Sequence, residues 1–186
     1  MNLQPYEFRS YGHEEAANSP SVVQGISDVF SNSFGVNPRT GKPYRLGPKT
    51  TKDRLLSTGH VLVAEHIDDL IVGYLYARII PSSNGPVAWI DSFAVLPNHR
   101  RKGVATSLVN CLLLKAHDSH WIGCATPNPI AALVITRAVG GKAYIGECDP
   151  PADSAARLAV GPGRRCVSVN SPAPSTEPCP RRSADR

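Results

Sequence analysis

The chain has 186 residues, 41% hydrophobic and 19% charged, which suits one globular domain with a sizeable core, with or without a tail. The formal charge of +5 does not mark a nucleic-acid binder: residues 152–186 hold six arginines against three acids, and the remainder carries 14 basic and 12 acidic residues without a basic face interleaved with aromatics. Five widely spaced cysteines form no Cys-x-x-Cys pair, the amino-terminal segment lacks a signal-peptide apolar run, and no run approaches the roughly 18 residues of a membrane span, so the expected setting is cytoplasmic and reduced, with no metal, membrane or nucleic-acid partner.

A short first strand is expected through Leu3, Tyr6, Phe8 and Tyr11, weakened by Pro5. Tyr11 to Ser21 is polar and punctuated by Pro20, which predicts a loop. Ser21 then caps a helix whose Val22, Val23, Ile26, Val29, Phe30 and Phe34 share one face. Residues 35–49 hold three prolines, three glycines and four basic side chains, too many breakers for a regular element; the segment reads as a solvated loop or a lid over substrate. Its Gly41-Lys42 is not a P-loop, because Gly35 is misplaced and Pro43 stands where a metal-binding hydroxyl is required. Thr50 or Thr51 caps a short helix ending at Gly59. His60–His66 and Ile71–Ile80 predict a hairpin, with Gly73 marking a bulge or a close backbone approach.

Val87 to Leu96 carries β-branched and aromatic residues with a rough period of two and reads as a largely buried strand, stopped by Pro97-Asn98. Arg100-Arg101-Lys102-Gly103-Val104-Ala105-Thr106 follows, and then Leu108, Val109, Leu112, Leu113 and Ala116 at helical spacing. A helix thus begins on a basic, glycine-containing turn. Its first N–H groups lack intrahelical acceptors and lie at the positive end of the dipole, a natural receptor for phosphate or pyrophosphate. Gly103 lets a ligand approach the backbone, and Ala105 keeps the next turn small.

Arg100-x-x-Gly103-x-Ala105 after a hydrophobic strand resembles the coenzyme A signature, Arg/Gln-x-x-Gly-x-Gly/Ala, of the GCN5-related N-acetyltransferase (GNAT) family. The resemblance implies a mixed α/β fold: a central, mostly antiparallel sheet with a splayed parallel strand pair and helices on both faces. It implies acetyl-coenzyme A as co-substrate, with Arg100, Arg101, Lys102, Gly103, Val104, Ala105 and Thr106 around the pyrophosphate. It also implies that the backbone of Phe93, Ala94 and Val95 pairs with the pantetheine arm like an added strand.

Trp121–Ala125 predicts a short strand parallel to the central one. Asn128 then caps a helix with Pro129 in its first turn and Ala132, Leu133, Ile135 and Ala138 along it. The pair Asn128 and Ala131 resembles the family's Asn-x-x-Ala. Ala143–Ile145 begins another strand. Beyond Pro151 the pattern weakens, giving a domain over 1–151 and a Pro/Ser/Arg-rich tail over 152–186, with Arg165–Val169 as its one strand-like run. Two closing strands are usual for the family, so the expected cleft is incomplete or atypical on that side, or completed by a partner.

Direct acetyl transfer to an amine needs proximity, a base, and protonation of the leaving thiolate. Asp91, an acid in an apolar strand, is the first candidate base; binding a substrate cation or a structural hydrogen bond are its alternatives. Glu65 on the hairpin follows the same logic. The family's usual acid, a tyrosine seven residues after the asparagine, is Ile135 here, and Tyr144 is the nearest substitute. The expectation is an N-acetyltransferase acting on a primary amine of a small molecule or peptide, as monomer or homodimer. The alternative is a non-catalytic acyl-coenzyme A-binding regulatory or structural protein.

Overall fold

The computed structural model describes residues 6–66, 70–81, 85–119, 121–126, 128–139, 143–146 and 165–170. Strand β1 (Tyr6–Gly12) leads into helices α1 (His13–Asn18), α2 (Pro20–Ser33) and α3 (Pro48–Leu56). Strands β2 (His60–His66), β3 (Ile71–Ile80) and β4 (Val87–Val95) follow, then a single 3-10 turn at Pro97–His99 and helix α4 (Val104–Lys115). Strand β5 (Trp121–Thr126), helix α5 (Pro129–Val139), and strands β6 (Ala143–Gly146) and β7 (Arg165–Asn170) complete the order.

The strands form one seven-stranded sheet in the order β1-β2-β3-β4-β5-β7-β6. Every neighbouring pair is antiparallel except β4 and β5, which are parallel and joined through α4. Helices α4 and α5 cover one face, where Leu75, Ile90, Leu108, Leu112, Ile122 and Ile135 form a core; α1, α2 and α3 cover the other over Ile26, Val29, Leu55, Val63, Tyr74 and Tyr76. Strand β3 is buried from Ile71 to Ala77. A strand packed on both faces needs apolar residues at every position, which explains its unbroken run.

Three expectations change. The predicted loop over Tyr11–Ser21 is the end of β1, then α1, then the first turn of α2. Ala16 and Ala17 are buried, Ser19 rather than Ser21 caps α2 by accepting from Val22 N (3.5 Å), and Pro20 starts that helix, because the first helical position needs no N–H donor. Helix α3 begins at Pro48, with Thr51 inside it and fully buried against Ser27 (Oγ–Oγ1 2.7 Å). Both closing strands are present: β7 pairs with β5 on one side and β6 on the other, so the chain itself completes that side of the sheet.

Gly73 is a close approach. A Cβ there would meet Val104 Cγ1 at 3.2 Å and Ala94 O and Val95 Cγ2 at 3.3 Å, so the bare backbone seats the first residue of α4 against β3 and β4. Gly73→Ala is expected to destabilise the fold by about 1–3 kcal/mol, read as a lower urea midpoint, because backbone oxygen and a β-branched side chain have little room to give.

Candidate active site

The sheet opens where β4 and β5 part. Their parallel ladder runs from Val87↔Trp121 to Ile90↔Cys124 and stops, while β4 continues to Val95 and β5 stays paired with β7 as far as Thr126↔Arg165. Leu96 N donates to Val72 O (2.9 Å), and amides alternate along a strand, so those of Phe93 and Val95 face the opening and that of Ala94 faces β3. The gap therefore presents an unpaired strand edge.

The basic turn closes one end of that edge. Arg101 (φ +61°) and Gly103 (φ +81°) both take the left-handed conformation, which turns the chain sharply from the 3-10 turn into α4. Ser107 N is the first α4 amide to bond back, to Gly103 O (2.9 Å), which leaves those of Val104, Ala105 and Thr106 without acceptors inside the helix. Arg101 and Lys102 are exposed beside them.

Arg100 does something else. Its Nε donates to Val95 O (3.0 Å) and its Nη2 to Ser33 O (3.2 Å), while Ser33 Oγ donates to the same Val95 O (3.2 Å). Both lone pairs of that carbonyl are thus engaged, and Arg100 ties the turn to β4 and to the end of α2. Tyr6 adds a second tie from β1, its hydroxyl 3.1 Å from His99 Nδ1.

Asp91 lies where the ladder ends. The β3–β4 register steps from Tyr76↔Ser92 to Ala77↔Ile90, so Asp91 has no opposite number and forms a bulge. Its Oδ1 accepts from Arg78 Nη2 (3.0 Å), and both side chains are largely buried. Burial pushes the Asp91 carboxyl above the ordinary carboxylate range, against the opposing pull of the Arg78 guanidinium. One residue on, Ser92 Oγ is 2.9 Å from the hydroxyl of fully buried Tyr74.

Glu65 and Tyr144 stand apart from this opening. Glu65 is on β2, two strands from β4, buried and paired with Arg9 of β1 (3.1 Å). An acid in an apolar strand looked alike at Glu65 and Asp91; the neighbouring strand separates them. Tyr144 is on β6, the outermost strand, with β7 between it and β5. Asn128 caps α5, its Oδ1 accepting from Ile130 N (3.0 Å), and Ala131 is buried one turn on. Ile135 is fully buried in the core under α5. Arg78 and Ser33 were not singled out from the sequence, although an arginine within an otherwise apolar strand was a signal available there. Among the described residues no group of three or more His, Cys, Asp or Glu is placed to hold a metal, and no helix is long and apolar enough to cross a membrane.

Comparison with known proteins bears on this geometry. No curated protein matches the chain by sequence. Solved structures share its fold. A phosphinothricin acetyltransferase from Sinorhizobium meliloti in complex with acetyl-coenzyme A superposes with a TM-score of 0.60 at 14% identity, covering 94% of this chain and 94% of that one. A diaminobutyrate acetyltransferase from Paenibacillus lautus, bound to L-2,4-diaminobutyric acid and coenzyme A, gives 0.58 at 16% identity over 90% of this chain and 96% of that one. The ribosomal-protein-S18-alanine N-acetyltransferase of Escherichia coli gives 0.57 at 10% identity over 92% and 97%. The sequence profile of the acetyltransferase (GNAT) family matches residues 25–140, more than half of the protein, and spans α3 to α5, β2 to β5 and the basic turn described above: the chain belongs to the GNAT family of acetyltransferases.

Proposed function

We propose that the protein transfers the acetyl group of acetyl-coenzyme A directly to a primary amine of a small molecule or peptide. The observation that carries this reading is the parting of β4 and β5 beside the left-handed turn at Gly103: an unpaired strand edge leading to a cluster of free amides and cations. The edge suits the amide-bearing pantetheine arm, and the helix start suits its pyrophosphate. Phe93 offers both backbone groups to the arm. Val95 offers its N–H, since Arg100 and Ser33 occupy its carbonyl. Ala94 turns its backbone groups to β3, and its side chain packs on the face covered by α1 to α3. The amides of Val104, Ala105 and Thr106 receive the pyrophosphate with Arg101 and Lys102, while Arg100 holds the turn in position. Asn128 and Ala131 define the wall contributed by α5.

Acetyl-coenzyme A supplies an activated thioester at this site. Asp91 accepts a proton from the substrate ammonium, directly or through one water, and the neutral amine adds to the carbonyl carbon. A C–N bond forms, the C–S bond breaks, and the thiolate takes up a proton, so that one proton is released overall.

A second reading, a non-catalytic acyl-coenzyme A-binding regulatory protein, is favoured by one observation: Ile135, at the position of the family's usual tyrosine, lies wholly in the core. Ile135→Tyr is therefore expected to cost about 1–3 kcal/mol by overpacking and to leave the rate no higher, read by thermal denaturation and turnover together. Calorimetric titration with acetyl-coenzyme A, followed by coenzyme A release against an amine panel, separates the readings. Saturable binding with turnover supports transfer, binding without turnover supports the regulatory role, and no binding by the folded protein rejects both.

A further inference from the structure

The contact between Arg78 and Asp91 bears on what the acceptor is. Arg78 is a five-donor fork, yet among the described residues only its Nη2 is engaged, by Asp91 Oδ1 at 3.0 Å. Its Nε is buried and has no hydrogen-bond partner among the described residues. That nitrogen and an adjacent Nη make the edge that receives a carboxylate through two parallel bonds. Nη2 rests on Asp91 while Nε stays unpartnered, so a turn of the guanidinium away from Asp91 would present that edge whole.

The charges decide which ligand makes that exchange favourable. The pair is neutral as it stands, and both members are largely buried. A simple amine arriving as an ammonium pairs with the second oxygen of Asp91 and leaves the buried Nε of Arg78 unpartnered, which is unfavourable. A zwitterion brings both signs. Its carboxylate takes Arg78 and its ammonium takes Asp91, and no charge is left over. Because the two side chains stem from neighbouring positions on β3 and β4, the acceptor's own charges are expected to lie close together, as in an α- or β-amino acid.

We propose that the acceptor is a small amino acid, recognised through its carboxylate by Arg78, and that this recognition frees Asp91 to receive the amine proton. The inference rests on the acetyl-transfer reading above and deepens it. Arg78 binds substrate and does not take part in bond making; the one proton that moves at this point passes from the ammonium nitrogen to an Asp91 oxygen. The same exchange removes the guanidinium that opposes protonation of Asp91, so the carboxylate becomes a better base only once the correct substrate is seated.

The test pairs each common amino acid, and β-alanine, with its own carboxamide, which keeps the amine and loses the carboxylate. Acetyl-coenzyme A affinity is first measured calorimetrically on each protein, then coenzyme A release is followed for each pair. In the wild type at least one acid is expected to exceed its amide by about tenfold or more in kcat/KM, as for a lost charge-assisted pair. In Arg78→Gln the preference should vanish with acetyl-coenzyme A affinity unchanged, and Arg78→Lys should restore part of it. Equal use of acid and amide by the wild type, or a preference that survives in Arg78→Gln, overturns the proposal even though transfer itself stands. Bound acetyl-coenzyme A with no pair turned over overturns it too. Failure to bind acetyl-coenzyme A is a different result, which removes the transfer reading and this inference with it.

Discussion

Gly103→Glu is expected to weaken acetyl-coenzyme A binding by at least about a hundredfold, roughly 2.7 kcal/mol, in a protein that still folds. Two effects combine. Gly103 has φ +81°, where a residue with a Cβ costs about 1–2 kcal/mol, so the turn is displaced from the shape that aims its amides at one point. The new carboxylate also stands at the positive end of α4, where the pyrophosphate belongs, and repels it. Gly103→Ala separates the two, keeping the backbone strain without the charge, and should lose less. Titration calorimetry reads the affinity and circular dichroism the fold. Undiminished binding in the glutamate variant would move the pyrophosphate away from this turn.

Asp91→Asn is expected to lower kcat/KM by about a hundredfold to ten-thousandfold while acetyl-coenzyme A affinity holds. Asparagine keeps the shape of the bulge and its hydrogen bond from Arg78 but cannot take a proton. The pH dependence carries a sign. Burial raises the Asp91 pKa against the pull of Arg78, and a base acts only when ionised, so wild-type kcat/KM should fall as pH drops through a value above the ordinary carboxylate range. The variant should lack that limb. The linked effect on stability runs the other way: the folded state binds the proton more tightly, so the contribution is fully present below the unfolded pKa and is lost as pH rises through the folded one. A variant with wild-type turnover would leave Asp91 a structural partner of Arg78 and return the search for a base to other groups at the opening.

Elements with a strong internal period were legible. The hairpin bounds, the central strand, α4, β5 and α5 follow from apolar spacing and breakers to within one or two residues. Tyr11–Ser21 reads as a loop because Pro20 also fits a stop, whereas in the fold it occupies the first turn of a helix, and a six-residue helix is too short to display a period. The anion-ready turn was legible for a chemical reason: glycine at φ +81° is needed where an L-residue is strained, and the neighbouring cations stand in the sequence itself.

Side-chain direction was not legible. By itself the sequence determined the strand, the basic turn and the helix on it, hence the class of anionic ligand the turn suits, because these depend on neighbours a few residues apart. Only the tertiary structure decided that Arg100 turns back onto Val95 and Ser33, that Glu65 belongs to Arg9, and that Ile135 faces the core. It also decided that a bulge sets Asp91 against Arg78, thirteen residues away on the adjacent strand. One unpaired residue in a ladder changes which face every later side chain takes, and a period of two read along a single strand carries no record of the partner that imposes it.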